Sequence, residues 1–157
     1  MSILKFISKR LLIVLVSCGL LSGCAHYIST FDQLAYVQTT SLKVDVLNLI
    51  DASTESYTSH KQEVDDVVSK MMKAIEYEKH RPKNDITIRM WNKLIDSTKQ
   101  KGIVGSYLAS WKRTGTKSQV LIDEFKPLAS EGFDLIAELE AQKIKPSDAG
   151  ISKFLNK

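Results

Sequence analysis

The chain has 157 residues, of which 25% are charged and 8% aromatic, and it contains two cysteines. Its formal charge of +4 is concentrated at one end. Lys5, Lys9 and Arg10 lie in the first 23 residues, which hold no acid, so the other 134 (157 less 23) carry 19 basic and 18 acidic side chains and a net charge of +1. Nucleic-acid binding calls for a basic domain with clustered Lys or Arg, and a nearly neutral domain excludes it as a partner class.

Residues 11–21 form an almost wholly apolar run behind that basic head. A basic head, an apolar run of about 7–15 residues and a small-residue cleavage site describe a secretory signal. A membrane-spanning helix needs about 20 apolar residues, more than this run supplies. The run ends in Leu21-Ser22-Gly23-Cys24. This tetrad resembles the lipobox of bacterial lipoproteins. The resemblance implies that the Cys24 thiol receives a diacylglyceryl group. It further implies that type II signal peptidase, recognising Leu21, Ser22 and Gly23, cuts before Cys24, whose new amino group is then N-acylated, typically with palmitate.

Leu15-Val16-Ser17-Cys18 fits the same pattern, but cleavage there would leave only Leu11 to Val14 as an apolar run. Acyl burial contributes about 0.8 kcal/mol per CH₂ and two lipid signals anchor stably, so the two or three chains of the family imply permanent membrane attachment. The residue after the cysteine is Ala25 and not Asp. By resemblance this implies the periplasmic leaflet of the outer membrane in a Gram-negative source, or the outer face of the plasma membrane in a Gram-positive one. The resemblance covers the first 24 residues and implies processing and place, not activity. With Cys18 removed and Cys24 acylated, no thiol remains for disulfides, thiol catalysis or thiolate metal sites.

Ala25 to Ser29 form the tether, and five extended residues reach at most about 17 Å. The domain is therefore expected to rest against its own membrane. Residues 30–145 read as a helical bundle and 146–157 as a tail.

The first helix is expected over about Phe31 to Ala52, with Thr30 and Gln33 as a capping box. Phe31, Leu34, Ala35, Leu42, Val46, Leu49 and Ile50 recur at helical spacing, and Thr39-Thr40-Ser41 suggests a local irregularity. The second spans about Ser59 to His80, with Val64, Val67, Val68, Met71, Met72 and Ile75 on one stripe, and stops before Pro82. The third, capped by Asn84 or Asp85, covers about Ile86 to Ser97. A shorter helix over Val104 to Arg113 carries Tyr107, Leu108 and Trp111.

The last long helix spans about Ser118 to Lys143. Pro127 inside it removes a backbone hydrogen bond and predicts a kink, or two helices meeting, near residues 123–127. Ile151, Phe154 and Leu155 in the tail are placed to dock. The fold class is all-α, a bundle of about four main helices.

Candidate chemistry is thin. Glu76 and His80 make the nearest approach to a di-metal bundle motif, without a second copy. Arg113-Thr114-Gly115-Thr116 is similar to the Lys-Thr-Gly element of penicillin-recognising enzymes, yet the partner Ser-x-x-Lys is missing from the mature chain. Gly115-Thr116-Lys117-Ser118 lacks the spacing of a phosphate loop. The pairs Asp65/Asp66, Glu76/Glu78 and Asp123/Glu124 do not face each other across a cleft, as glycosidase carboxylates must. No metal, cofactor or catalytic residue is assigned; the one covalent group expected is the lipid on Cys24.

Two features read as a candidate interaction surface. Arg81, Lys83 and Arg89 concentrate positive charge at one bundle end, suited to anionic headgroups or an acidic partner. Tyr107 and Trp111, with Arg113 beside them, have interface chemistry. The expected function is a non-enzymatic, lipid-anchored envelope protein presenting a face to a membrane-proximal protein partner, as an accessory or inhibitory subunit. The alternative is a helical binding module for a lipid, cell-wall fragment or other small amphiphile, with Met71, Met72, Met90, Trp91 and Phe133 lining its cavity.

Overall fold

A computed structural model of the protein describes residues 29–96 and 101–156. Leu21, Ser22, Gly23, Cys24 and the tether through residue 28 lie outside the described residues. Among those described there are six α-helices and no strand: α1 (Gln33–Asp51), α2 (Lys61–Lys79), α3 (Asp85–Leu94), α4 (Ile103–Thr114), α5 (Gln119–Glu140) and α6 (Ala149–Asn156). A 3₁₀ turn, Ala52–Thr54, prolongs α1. None of these helices is long and apolar enough to cross a membrane.

The caps correct several expectations. Asp32 caps α1, its carboxylate accepting the Ala35 N–H at 3.0 Å, and Thr30 does not. The Thr39-Thr40-Ser41 stretch is unbroken helix, in which the Thr39 and Thr40 hydroxyls donate back to the carbonyls of Ala35 and Tyr36 at 2.8 and 3.0 Å. Asn84 precedes α3 without capping it; its amide donates to the Glu78 carbonyl instead. Ser118 does cap α5, accepting from the Leu121 N–H.

A single helix runs through Pro127, which overturns the junction of two helices there. Pro127 is exposed, so solvent can reach the carbonyl one turn earlier that loses its donor, while Ile122, Ala129 and Phe133 hold the helix to the core on either side. The C-terminal segment docks as expected: residues 149–156 form a short helix with Ile151 and Phe154 buried and Leu155 packed beside them.

α1 packs most extensively against α5, then against α2, and α3 joins α2, α5 and α6. α1 and α5 run antiparallel, as the pairs Lys43–Asp134 (2.5 Å) and Lys126–Asp51 (2.7 Å) show. In the centre Trp91 meets Phe133 edge to face, ring centroids 5.8 Å apart. Trp91, Trp111, Phe133 and Phe154 are fully buried, each worth about 1.5–3 kcal/mol on the transfer scale for large apolar side chains.

Gly132 makes room for the last helix. A Cβ there would lie 2.6 Å from a Leu94 methyl and 2.8 Å from the Phe154 ring. The missing side chain is what lets α3 and α6 close over α5.

Candidate functional site

Two polar assemblies close the ends of the bundle. The first joins the start of α1 to the last turns of α2 and α5. Arg81 Nη1 donates to Glu78 Oε2 and to Glu140 Oε2, each at 2.7 Å, and Nη2 donates to the Thr30 carbonyl at 2.8 Å. These side chains are shut away from water: Arg81 is 8% exposed, Glu78 2% and Glu140 3%. Thr87 donates to the other Glu140 oxygen at 3.2 Å, and the Asn84 amide reaches Glu78 Oε2.

At the edge of this cluster the Tyr77 hydroxyl donates to Asp32 at 2.6 Å. That bond, and then the Ala35 N–H, hold the Asp32 carboxyl below its ordinary range. Burial above all raises the Glu140 carboxyl, the Arg81 hydrogen bond works against this, and the Glu78 charge adds to the rise. Two facing carboxylates can do acid–base work when a substrate sits between them. Here a guanidinium occupies that space, so the cluster is a clamp.

The second assembly stitches the α1–α2 connection to the α4–α5 turn. Trp111 Nε1 donates to the carbonyls of Glu55 and Gly115, both at 3.1 Å. Tyr57 N donates to Gly115 O and Lys117 N to Ser53 O, both at 2.8 Å. Tyr57 stands edge-on to Trp111, and the His60 ring lies 5.8 Å away. His60 is held between Glu55 and Glu63 at 3.0 Å on each side. The Glu63 hydrogen bond first, and then Glu55, raise its pKa, so the charged imidazolium is favoured.

Beside this assembly lies a groove of about 330 Å³ lined by Tyr107, Ser110, Lys117, Leu121, Glu124 and Phe125. Lys117 Nζ is 2.5 Å from Ser110 Oγ and 5.8 Å from the centre of the Tyr107 ring. Burial, and secondarily the Arg113 charge, lower its pKa. The hydroxyl and the ring face satisfy the ammonium at the groove wall.

Of the residues expected at an interaction surface, three are buried and three exposed. Arg81 is the buried centre of the clamp. Tyr107 and Trp111 face the core, Tyr107 bonding Ser53 at 2.6 Å. Lys83, Arg89 and Arg113 are exposed, Lys83 after α2, Arg89 on α3 and Arg113 in the last turn of α4. The pair Glu76 and His80 is an exposed contact at the end of α2. Among the described residues no group of three or more His, Cys, Asp or Glu is placed to hold a metal ion. Met71, Met90, Trp91 and Phe133 are fully buried in the core, and the groove beside Trp111 is lined by other residues.

One surface was missed by the charge-based reading. The outward side of α1 exposes Leu34, Val37 and Val44 by 50%, 49% and 57%. The signal was present in the sequence: α1 has no charged residue from Gln33 to Leu42, while Leu34 and Val37 lie off the core-facing row of Ala35, Thr39 and Leu42. Compared with known protein families, with curated proteins and with solved structures, the chain matches none.

Proposed function

We propose that the protein is a lipid-anchored component of the cell envelope, acylated at Cys24 with diacylglyceryl and N-acyl chains, that acts by binding rather than by catalysis. Its helical body, built on α1, α2, α3 and α5 and bending at Pro127, is held beside one leaflet and offers a face to a membrane-proximal protein as an accessory or inhibitory subunit. In a Gram-negative source that leaflet is the periplasmic side of the outer membrane; in a Gram-positive source it is the outer side of the plasma membrane.

The observation that supports this most is the clamp at the start of α1. Thr30, six residues after Cys24, is bonded through its carbonyl to the buried Arg81. A chain tied down that close to its lipid gives the domain a defined height and orientation on the membrane.

Growth with an alkynyl fatty acid tests the reading. Wild-type protein is expected to take up the label, to begin at Cys24 by mass spectrometry, and to stay with membranes in high salt. Cys24→Ser protein is expected to be unlabelled and to keep residues 1–23. Equal labelling of the two, or wild-type protein that keeps its first 23 residues, sinks it.

A further inference from the structure

We propose that the outward side of α1 is a seam on which a second copy of the same chain packs its own α1, side by side and pointing the same way. The inference deepens the anchored reading above and takes its parallel orientation from it.

The first ground is that α1 carries large apolar side chains on its outward side as well as towards the core. Ala35, Leu42, Val46, Leu49 and Ile50 face the core, while Leu34, Val37 and Val44 face out and are about half exposed. Among the described residues nothing covers these three side chains beyond about half of their surface. Apolar side chains aligned in this way on the outside of one helix point to an interaction site.

The second ground is spacing. Leu34, Val37, Ser41, Val44 and Asn48 follow one another at steps of 3, 4, 3 and 4. That is the step pattern of a helix–helix seam, in which a polar Asn at one position fixes register at some cost in stability. The side chains are mostly short, so two backbones can approach closely.

The third ground selects a second copy over other occupants. In a two-fold contact each surface meets itself, so any unbalanced charge on its flanks meets its own sign. The flanking charges of α1 are already balanced within the chain: Lys43 by Asp134 at 2.5 Å, Asp45 by Lys70 at 2.7 Å, and Asp51 by Lys126 at 2.7 Å. A helix lying in a lipid surface is instead rich in Lys and Arg along its polar side, and these flanks offer no surplus cation. Anchoring supplies the direction. With Thr30 clamped at the start of α1, every anchored copy carries that end towards the bilayer, so neighbouring α1 helices are parallel and position 41 of one copy faces position 41 of the other.

The test uses the full chain, processed and lipidated in its own cells, with Ser41→Cys and a short thiol-specific bismaleimide applied to intact membranes. The expected product is a covalent dimer of twice the chain mass, about tenfold weaker when Val44→Glu is added, because like charges then oppose each other across the seam. Val44 is exposed, so circular dichroism should not change. Ser69→Cys, on the exposed side of α2, is expected to give no dimer. The wild-type chain without added cysteine reads the anchoring separately: a dimer there traces to an unacylated Cys24 or a retained Cys18 and removes that reading, while the seam is judged by the excess in Ser41→Cys. The seam is overturned by no such excess, by a dimer indifferent to Val44→Glu, by a conjugate of some other mass, or by a position-41 fluorophore quenched by brominated lipid without dimer formation.

Discussion

A buried charge costs several kcal/mol of desolvation, offset only while its partners stay in place. Arg81 serves two buried carboxylates and one backbone carbonyl at once. Arg81→Ala leaves Glu78 and Glu140 facing each other without a cation, and is expected to lower the unfolding free energy by about 3–5 kcal/mol in urea titrations. Lys83→Ala, two residues on and exposed, should be nearly silent. From the sequence the two looked alike, because a window around Pro82 shows only the local cluster of positive charge. The partner that buries Arg81, Glu140, is 59 residues further along. Trp111 was hidden in a similar way: its indole bonds two loop carbonyls that converge only in the folded chain.

Helices were the legible part, since a 3.6-residue period is written in the order of the residues and needs no distant partner. All five expected helices are present within a few residues of their expected limits, and the C-terminal segment adds α6. What periodicity could not supply was the effect of neighbours on special residues. Pro127 suggested a kink or a junction, and at its exposed position one helix continues through it. Gly132 gave no clear signal, although it is the recess into which Leu94 and Phe154 pack. Helix ends leave one position open to improvement. Just after α5, Gln142 has φ +57°, and the following Lys143 N–H bonds back to the Glu138 carbonyl at 2.9 Å. This is the helix stop usually given to glycine. A side chain in that left-handed conformation costs roughly 1–2 kcal/mol. Gln142→Gly is therefore expected to gain about 1 kcal/mol and raise Tm by about 4 °C in calorimetry.

For the molecule as a whole, His60 and Asp32, one at each polar end, respond to pH in opposite senses. His60 has a raised pKa in the folded protein. Its contribution is fully present below the ordinary histidine value of about 6.5 and is lost as pH rises through the folded value. Asp32 at the other end is lowered, so its contribution is present above the ordinary aspartate value of about 3.9 and disappears as pH falls through the folded one. Urea titrations between about pH 6 and pH 9 should show wild-type protein losing stability while His60→Gln loses less. Added salt should narrow the gap, because Glu55 and Glu63 are 68% and 65% exposed and exposed pairs are screened. A slope identical in both proteins would remove the imidazolium bridge from the account.

The bond between Arg81 and Thr30 has a mechanical consequence. Tension on the chain ahead of residue 30 arrives first at one guanidinium, which passes it sideways into the last turns of α2 and α5 before α1 can be peeled from its first residue. Strain is thereby shared among three helices. Stretched in an optical trap from that side, the domain should resist as one block, whereas Arg81→Ala protein should unzip from α1 at lower force.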